Sequence, residues 1–201
     1  MRGLIGLVAV LVTVVVEVTV VDRIPFPGSA GPDLVLLAVA AFALASGPLA
    51  GALIGFAGGL ALDVAPPGSH FVGQQALVFC LVGYLCGLAA QGGFRGRAVL
   101  PRAGGSPGGS SPREATEHTA LYEIAVMAAA AVFGEALSAA LGKMLSDPRV
   151  SLPAVRHVLP AAVAYDVLLC PFVLYAAAAV LRMAGALRPA PSAEAARPVG
   201  Q

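Results

Sequence analysis

Glycine recurs at every fourth position through one apolar stretch of this chain, and this spacing constrains the fold more than any other feature. Gly47, Gly51, Gly55 and Gly59 are followed at the same interval by Asp63. On an α-helix, residues four apart lie on one face, so these positions form a stripe without side chains that ends at a carboxylate. Glycine costs about 1 kcal/mol per residue relative to alanine in a helix in water. In lipid, unpaired backbone groups force a helix, and small residues four apart let two helices approach closely.

A second series of small residues follows at alternating steps of three and four, and it also falls on one helix face. Its members are Gly73, Ala76, Cys80, Gly83 and Gly87. Such faces are too flat to hold lipid well, so each should meet another helix. We therefore predict a helix-packing or partner interface made by the glycine stripe (Gly47, Gly51, Gly55 and Gly59), Asp63, Gly83 and Gly87.

The composition predicts an integral membrane protein. The chain is 58% hydrophobic and only 11% charged, with a mean hydropathy of +0.87, whereas about a quarter of the residues in a soluble domain are charged. A hydrocarbon core of roughly 30 Å needs about 20 apolar residues per helix. We predict an all-α bundle of six transmembrane helices. The net charge of +1 gives no general attraction to nucleic acid.

The expected spans and their connections follow from the apolar runs and the turn residues. The six segments are Gly3–Val21, Leu34–Ala45, Leu49–Val64, Phe71–Ala90, Leu121–Leu141 and Val158–Leu181. Pro32 and Asp33 should begin the second helix, because proline suits a first helical turn and a carboxylate favours the N-terminal end of the helix dipole. Ser46-Gly47-Pro48 should separate a tight helix pair, and a single long kinked helix is the alternative.

The chain divides at its polar stretches. Residues 1–90 hold the first four helices with the glycine-rich core, and residues 120–183 hold the last two. Residues 91–119 contain GGSPGGSSP, the composition of a flexible linker, and residues 184–201 form a tail predicted to be disordered.

The positive-inside rule orients the predicted bundle. With six spans and a cytoplasmic N-terminus, the cytoplasmic segments carry Arg2, Arg95, Arg97, Arg102, Arg113, Arg182, Arg188 and Arg197. The opposite side carries Arg23, Lys143, Arg149 and Arg156. The excess of basic residues in the first group favours a cytoplasmic position for both termini and the linker.

Four carboxylates lie in or at the end of apolar spans: Glu17, Asp63, Glu135 and Asp166. A charge near the middle of a bilayer costs about 3 kcal/mol on insertion scales, so each is a hypothesis about function. Asp63 and Asp166 could form the dyad of an intramembrane aspartyl protease, although only Tyr165-Asp166 fits such a motif. The acids could line a transport site. They could also cap helix ends or pair with neighbouring helices.

No cofactor or metal site is predicted. Cys80, Cys86 and Cys170 lie in apolar stretches without paired spacing, which is typical of small buried hydrophobic residues. A cofactor would also need polar residues beside the glycine faces, and few are present there.

The central block resembles the rod shape-determining protein MreD family. The matching features are Pro32-Asp33-Leu34 at the start of a span, the run GALIGFAGGLALD (Gly51–Asp63), Gly73, and LVGYLCG (Leu81–Gly87). The resemblance implies a multi-pass protein of the bacterial inner membrane with a fold similar to the substrate-binding membrane subunits of energy-coupling-factor transporters.

The resemblance also implies a function without catalysis. MreD-type proteins act in lateral cell-wall elongation and bind the bitopic protein MreC. Through it they act with a RodA-type glycosyltransferase, a class B penicillin-binding transpeptidase and, where present, the actin-like MreB. We therefore expect a membrane scaffold for peptidoglycan synthesis and cell shape that contacts lipid and needs no cofactor. The alternative is the substrate-binding membrane subunit of a small-molecule transporter with separate ATPases.

Overall fold

All regular structure in the described part of the chain is helical. The computed structural model describes residues 2–24, 31–65, 73–92, 114–145 and 152–186. The helices are α1 (Arg2–Thr19), α2 (Leu34–Ser46), α3 (Pro48–Val64), α4 (Gln74–Gly92), α5 (Glu114–Met144) and α6 (Leu152–Ala186), with one 3-10 turn at Val21–Arg23. The predicted GGSPGGSSP linker and the tail from residue 187 onward lie outside the described residues.

Three helices, not six, are long and apolar enough to cross a membrane, so the prediction of six spans is not supported. Among the described residues, the candidate spans are Gln74–Gln91, Ala120–Met144 and Val158–Ala184. The first three helices are apolar but shorter. The 13 residues of α2 and the 17 of α3 reach only about 20 and 26 Å, because the break at Gly47 divides one apolar run into two helices.

The short helix α2 forms the centre of the bundle. Its residues from Val35 to Ala45 are all buried, and α1, α3, α4, α5 and α6 all pack against it. A helix that is hydrophobic on every side belongs in a protein interior. Since other helices surround α2, it does not need the length of a lipid-facing span.

The chain reverses direction between α2 and α3, as predicted for a tight helix pair. Gly47 has a φ of +92°, a conformation that glycine adopts without a steric penalty, and Pro48 occupies the start of α3. Val35 at the beginning of α2 lies near Gly58 towards the end of α3, and Ala43 lies near Gly51. The two helices are therefore separate and antiparallel, which excludes the single kinked helix.

The last two helices begin earlier than the apolar pattern predicts. α5 starts at Glu114 and α6 at Leu152, where the sequence suggests the linker and a loop. Hydropathy reports the apolar part of a helix, but backbone hydrogen bonding continues into polar residues beyond it. α6 also continues through Pro160 and Pro171.

Candidate functional site

The glycine stripe forms the contact between α3 and α4. A Cβ atom added at Gly55 would overlap the carbonyl oxygen of Phe79, and one at Gly51 would overlap that of Gly83. Gly59 meets the backbone of Gln75 in the same way. The order of these pairs shows that α3 and α4 are antiparallel. Their backbones touch directly, which only residues without a side chain allow.

The second glycine series provides the other half of this contact. Gly83 faces Gly51, and Gly87 lies against the backbone of Pro48. The backbone of Gly47 also lies against Gly87, whereas a Cβ atom added at Gly47 itself would meet only the Nε2 atom of Gln91, at 4.0 Å. The predicted helix-packing face is therefore present.

The predicted partner-binding face lies inside the α3–α4 contact, and its use by a partner protein stays a prediction. The backbone of α4 occupies the glycine stripe, so the stripe is closed to a partner helix as long as the two helices remain paired. Asp63 is only 6% exposed. The pattern of small residues predicts that another helix packs on this face, but it does not identify that helix. In the structure it is α4, which follows α3 directly and carries matching small residues.

Asp63 caps the N-terminus of α4 from the end of α3. Its Oδ2 accepts hydrogen bonds from the backbone N–H groups of Gly73 at 2.8 Å and Ala76 at 3.1 Å. Its Oδ1 accepts from the N–H of Gln75 at 3.2 Å. The first N–H groups of a helix have no partner within it, and a carboxylate there also complements the helix dipole. Both oxygens of Asp63 are thus engaged by one helix end.

Polar side chains join α5 to the same end of α4. The Nε2 of Gln74 donates to the backbone oxygen of Ser138 at 3.1 Å, and the Oγ of Ser138 donates to Oε1 of Gln75 at 3.0 Å. These residues lie outside the set of candidates predicted from the sequence. Their signal is the occurrence of polar side chains in otherwise apolar helices, at the start of α4 for Gln74 and Gln75 and in the last third of α5 for Ser138.

Three carboxyl groups hold the N-terminus of the central helix α2. Asp166 Oδ1, from α6, accepts the N–H of Asp33 at 2.8 Å. Glu17 Oε2, from α1, accepts the N–H of Val35 at 2.8 Å. Asp33 caps its own helix by accepting the N–H of Leu36 at 2.7 Å, as predicted for the start of this span. These three acids therefore satisfy backbone N–H groups at the start of α2.

Glu135 completes this group, which we call the acidic cluster: Glu17, Asp33, Glu135 and Asp166. Glu135 lies close enough to Asp33 and Asp166 to interact with them electrostatically. Its neighbour Gly134 packs against Leu36 in the first turn of α2. Four elements thus bring acidic groups to one helix end.

The structure does not pair Asp63 with Asp166 as a catalytic dyad. Asp63 is hydrogen-bonded to α4, and Asp166 is hydrogen-bonded to the start of α2. A protease dyad needs two aspartates that share a proton, whereas here each aspartate serves a different helix end.

Two further acids, the half-buried Asp33 and the buried Glu123, lie outside the set of buried acids predicted from the sequence. Asp33 belongs to the acidic cluster as well as capping α2, and Glu123 on α5 is only 1% exposed. Glu123 follows closely after the start of an apolar segment, and that position is its only signal in the sequence.

The remaining candidate groups do not form a metal centre. Cys80, Cys86 and Cys170 are free, and the last two are buried, as expected for small apolar residues. In the ranges that the structure describes, no three His, Cys, Asp or Glu side chains are placed to hold a metal ion.

Comparison with protein-family models, curated proteins and solved structures finds no match to this chain. The fold and the site define the class of protein. It is a helical membrane protein whose α3 and α4 meet through glycines. Carboxylates from other parts of the chain cap the N-termini of α2 and α4.

Proposed function

We propose that this chain is a non-enzymatic scaffold of the bacterial cell-wall elongation machinery that resembles the MreD family and binds MreC. In this role it supports rod-shape peptidoglycan synthesis together with a RodA-type glycosyltransferase and a class B penicillin-binding transpeptidase. In this role the chain lies in the inner membrane with both termini in the cytoplasm. Its helices form a bundle similar to the membrane subunits of energy-coupling-factor transporters.

One observation carries the proposal: the two glycine-containing MreD-like motifs, Gly51–Asp63 and Leu81–Gly87, lie in one helix pair and make its contacts. Gly51, Gly55 and Gly59 meet the backbone of α4, and Asp63 caps that helix. The motif residues thus form the packing contact between α3 and α4. A scaffold depends on rigid helix packing, and direct backbone contact between helices supplies it.

The bonding of the acids supports the same role. Asp63 and Asp166 accept backbone N–H groups, and these bonds orient one helix against another. A carboxylate used in this way holds the bundle together, which favours a structural role over catalysis or transport for these two residues.

Binding to MreC is tested by co-purification from membranes. The tagged chain and MreC from the same genome are co-expressed, solubilised in mild detergent and isolated through the tag. We expect MreC to be retained and an unrelated bitopic membrane protein, expressed at the same level, to be lost. Photo-crosslinkers at exposed positions such as Leu4, Phe56 and Phe172 then locate the contact.

The glycine stripe is not a suitable test of the partner surface. A substitution such as Gly55→Leu would separate α3 from α4, so loss of MreC would report on the fold of this chain. Failure of the intact, monodisperse protein to retain MreC would contradict the proposal. A small molecule retained through purification, with uptake that depends on separate ATPases, would favour the transporter subunit instead.

A further inference from the structure

Asp166 has a buried carboxyl oxygen that no group in the described part of the chain satisfies. The side chain is 0% exposed. Its Oδ1 accepts the N–H of Asp33, whereas Oδ2 is buried without a hydrogen-bond partner. A buried polar atom normally has a partner, and each exception needs an explanation. The exception here lies within the acidic cluster.

The surroundings of Asp166 are acidic on every packed side. Glu17 reaches the same helix end from α1, Asp33 lies at the start of α2, and Glu135 approaches from α5. On its own helix, Tyr165 is the neighbour of Asp166 in sequence, and Cys170 lies close enough to Asp166 to interact with it electrostatically. The lysine and arginines with described side chains, Arg23, Lys143 and Arg182, are all exposed. No described cation is therefore buried with the acids.

Asp166 lies deep along an apolar helix, so the lack of a described buried cation beside the acids matters. Asp166 lies eight residues into the apolar segment that begins at Val158, which is about 12 Å along the helix. Charged carboxylates are strongly disfavoured in an apolar interior unless a positive group compensates them, and close carboxylates disfavour each other's charge. The partial positive charge of one helix N-terminus is smaller than one unit charge. It is therefore too small to compensate the negative charge that four ionised carboxyl groups would carry.

We propose that the acidic cluster is a proton-binding site, with the proton held on Oδ2 of Asp166. Protonation removes the charge and turns the unsatisfied Oδ2 into an O–H donor, while Oδ1 continues to accept the N–H of Asp33. A proton fits better than a metal ion, because the described side chains offer no set of three ligands. The inference does not depend on the proposed function.

The experiment detects the proton by infrared spectroscopy of the full-length protein in lipid nanodiscs. A protonated carboxylic acid has a C=O stretching band that a carboxylate lacks. Because the ester carbonyls of the lipid absorb in the same region, the band is read from difference spectra. We expect it in the neutral-pH spectrum of wild type minus that of Asp166→Asn. Asn keeps an oxygen for the N–H of Asp33, and its amide N–H₂ takes the place of the acid O–H. The matched control is Asp63→Asn, which should retain the band.

Further measurements keep the proposal testable if Asp166→Asn does not fold. In wild type, the band should shift in D₂O and disappear as the pH rises. Glu135→Gln should change its frequency by altering a neighbour of the acid. Absence of the band, or its survival in a folded Asp166→Asn variant, would overturn the proposal. A rise in melting temperature with Na⁺ at constant pH, seen in wild type but not in Asp166→Asn, would show that a metal ion binds instead.

Discussion

Asp166 on α6 is hydrogen-bonded to the backbone N–H of Asp33, 133 positions away in sequence, at 2.8 Å. This bond joins α6, the last described helix, to the residue that caps the central helix α2. The first N–H groups of α2 have no partner within the helix. Carboxyl groups from α1 and α6 perform that role, which explains why acids lie inside apolar helices.

The cap from α1 can be tested at Glu17. Glu17→Leu removes the acceptor for the N–H of Val35 and leaves a buried donor unsatisfied. We expect the free energy of unfolding to fall by about 1–3 kcal/mol. Glu17→Gln keeps a side-chain oxygen and should lose less. Unfolding of the purified protein in mixed micelles measures the difference.

Val16→Leu is the matched control for Glu17→Leu, because Val16 is 41% exposed on the same helix. Its stability should remain close to that of wild type. Equal losses in the Glu17 and Val16 variants would mean that the bond to Val35 contributes nothing.

The close contact between α3 and α4 predicts that alanine destabilises the protein at Gly55 but not at Gly3, which lies outside this contact. In Gly55→Ala, the added Cβ overlaps the carbonyl oxygen of Phe79, so the helices must separate. We expect a loss of about 1–3 kcal/mol in unfolding free energy. In Gly3→Ala, the nearest atom is the Cβ of Ala50 at 3.8 Å, an ordinary contact. Alanine there should be neutral or slightly stabilising because of its helix propensity.

Thermal unfolding in detergent, followed by circular dichroism, ranks these two variants. The glycine contact would be refuted if Gly55→Ala melted at the same temperature as wild type or Gly3→Ala.

The cap on α4 predicts a local effect at Asp63. Asp63→Ala removes the acceptor of three backbone N–H groups and should cost about 2 kcal/mol. Amide hydrogen exchange should quicken most at Gln75 and Ala76, whose N–H groups bond to this carboxylate. Amides in the middle of α2, such as that of Ala40, provide the internal reference. Uniform acceleration throughout the chain would indicate general unfolding rather than loss of a cap.

The sequence predicted well those features that depend on neighbouring residues. Hydropathy identified the helices, Gly47 and Pro48 marked the reversal between α2 and α3, and Asp33 was expected at a helix start. The periodic glycines correctly indicated close helix contact. Each of these features arises within one or two turns of chain.

Features that depend on the pairing of distant helices could not be predicted in the same way. The sequence does not show that α4 fills the glycine stripe, or that Glu17 and Asp166 meet at the start of α2. The count of six spans is not supported, because it assigned every apolar run to a lipid-spanning helix. α2 is apolar on all sides because protein surrounds it, and such a helix can be shorter than the bilayer is thick.

Two serines provide a last prediction, because their hydroxyl groups differ in bonding. The Oγ of Ser138 donates to Gln75 at 3.0 Å, whereas the Oγ of Ser46 is buried without a hydrogen-bond partner. Ser138→Ala should lower the unfolding free energy by about 1 kcal/mol. Ser46→Ala removes an unsatisfied polar atom, so it should leave stability unchanged or raise it. Parallel denaturation of both variants in one detergent tests the pair, and a larger loss at Ser46 than at Ser138 would contradict the hydrogen bonding at the two sites.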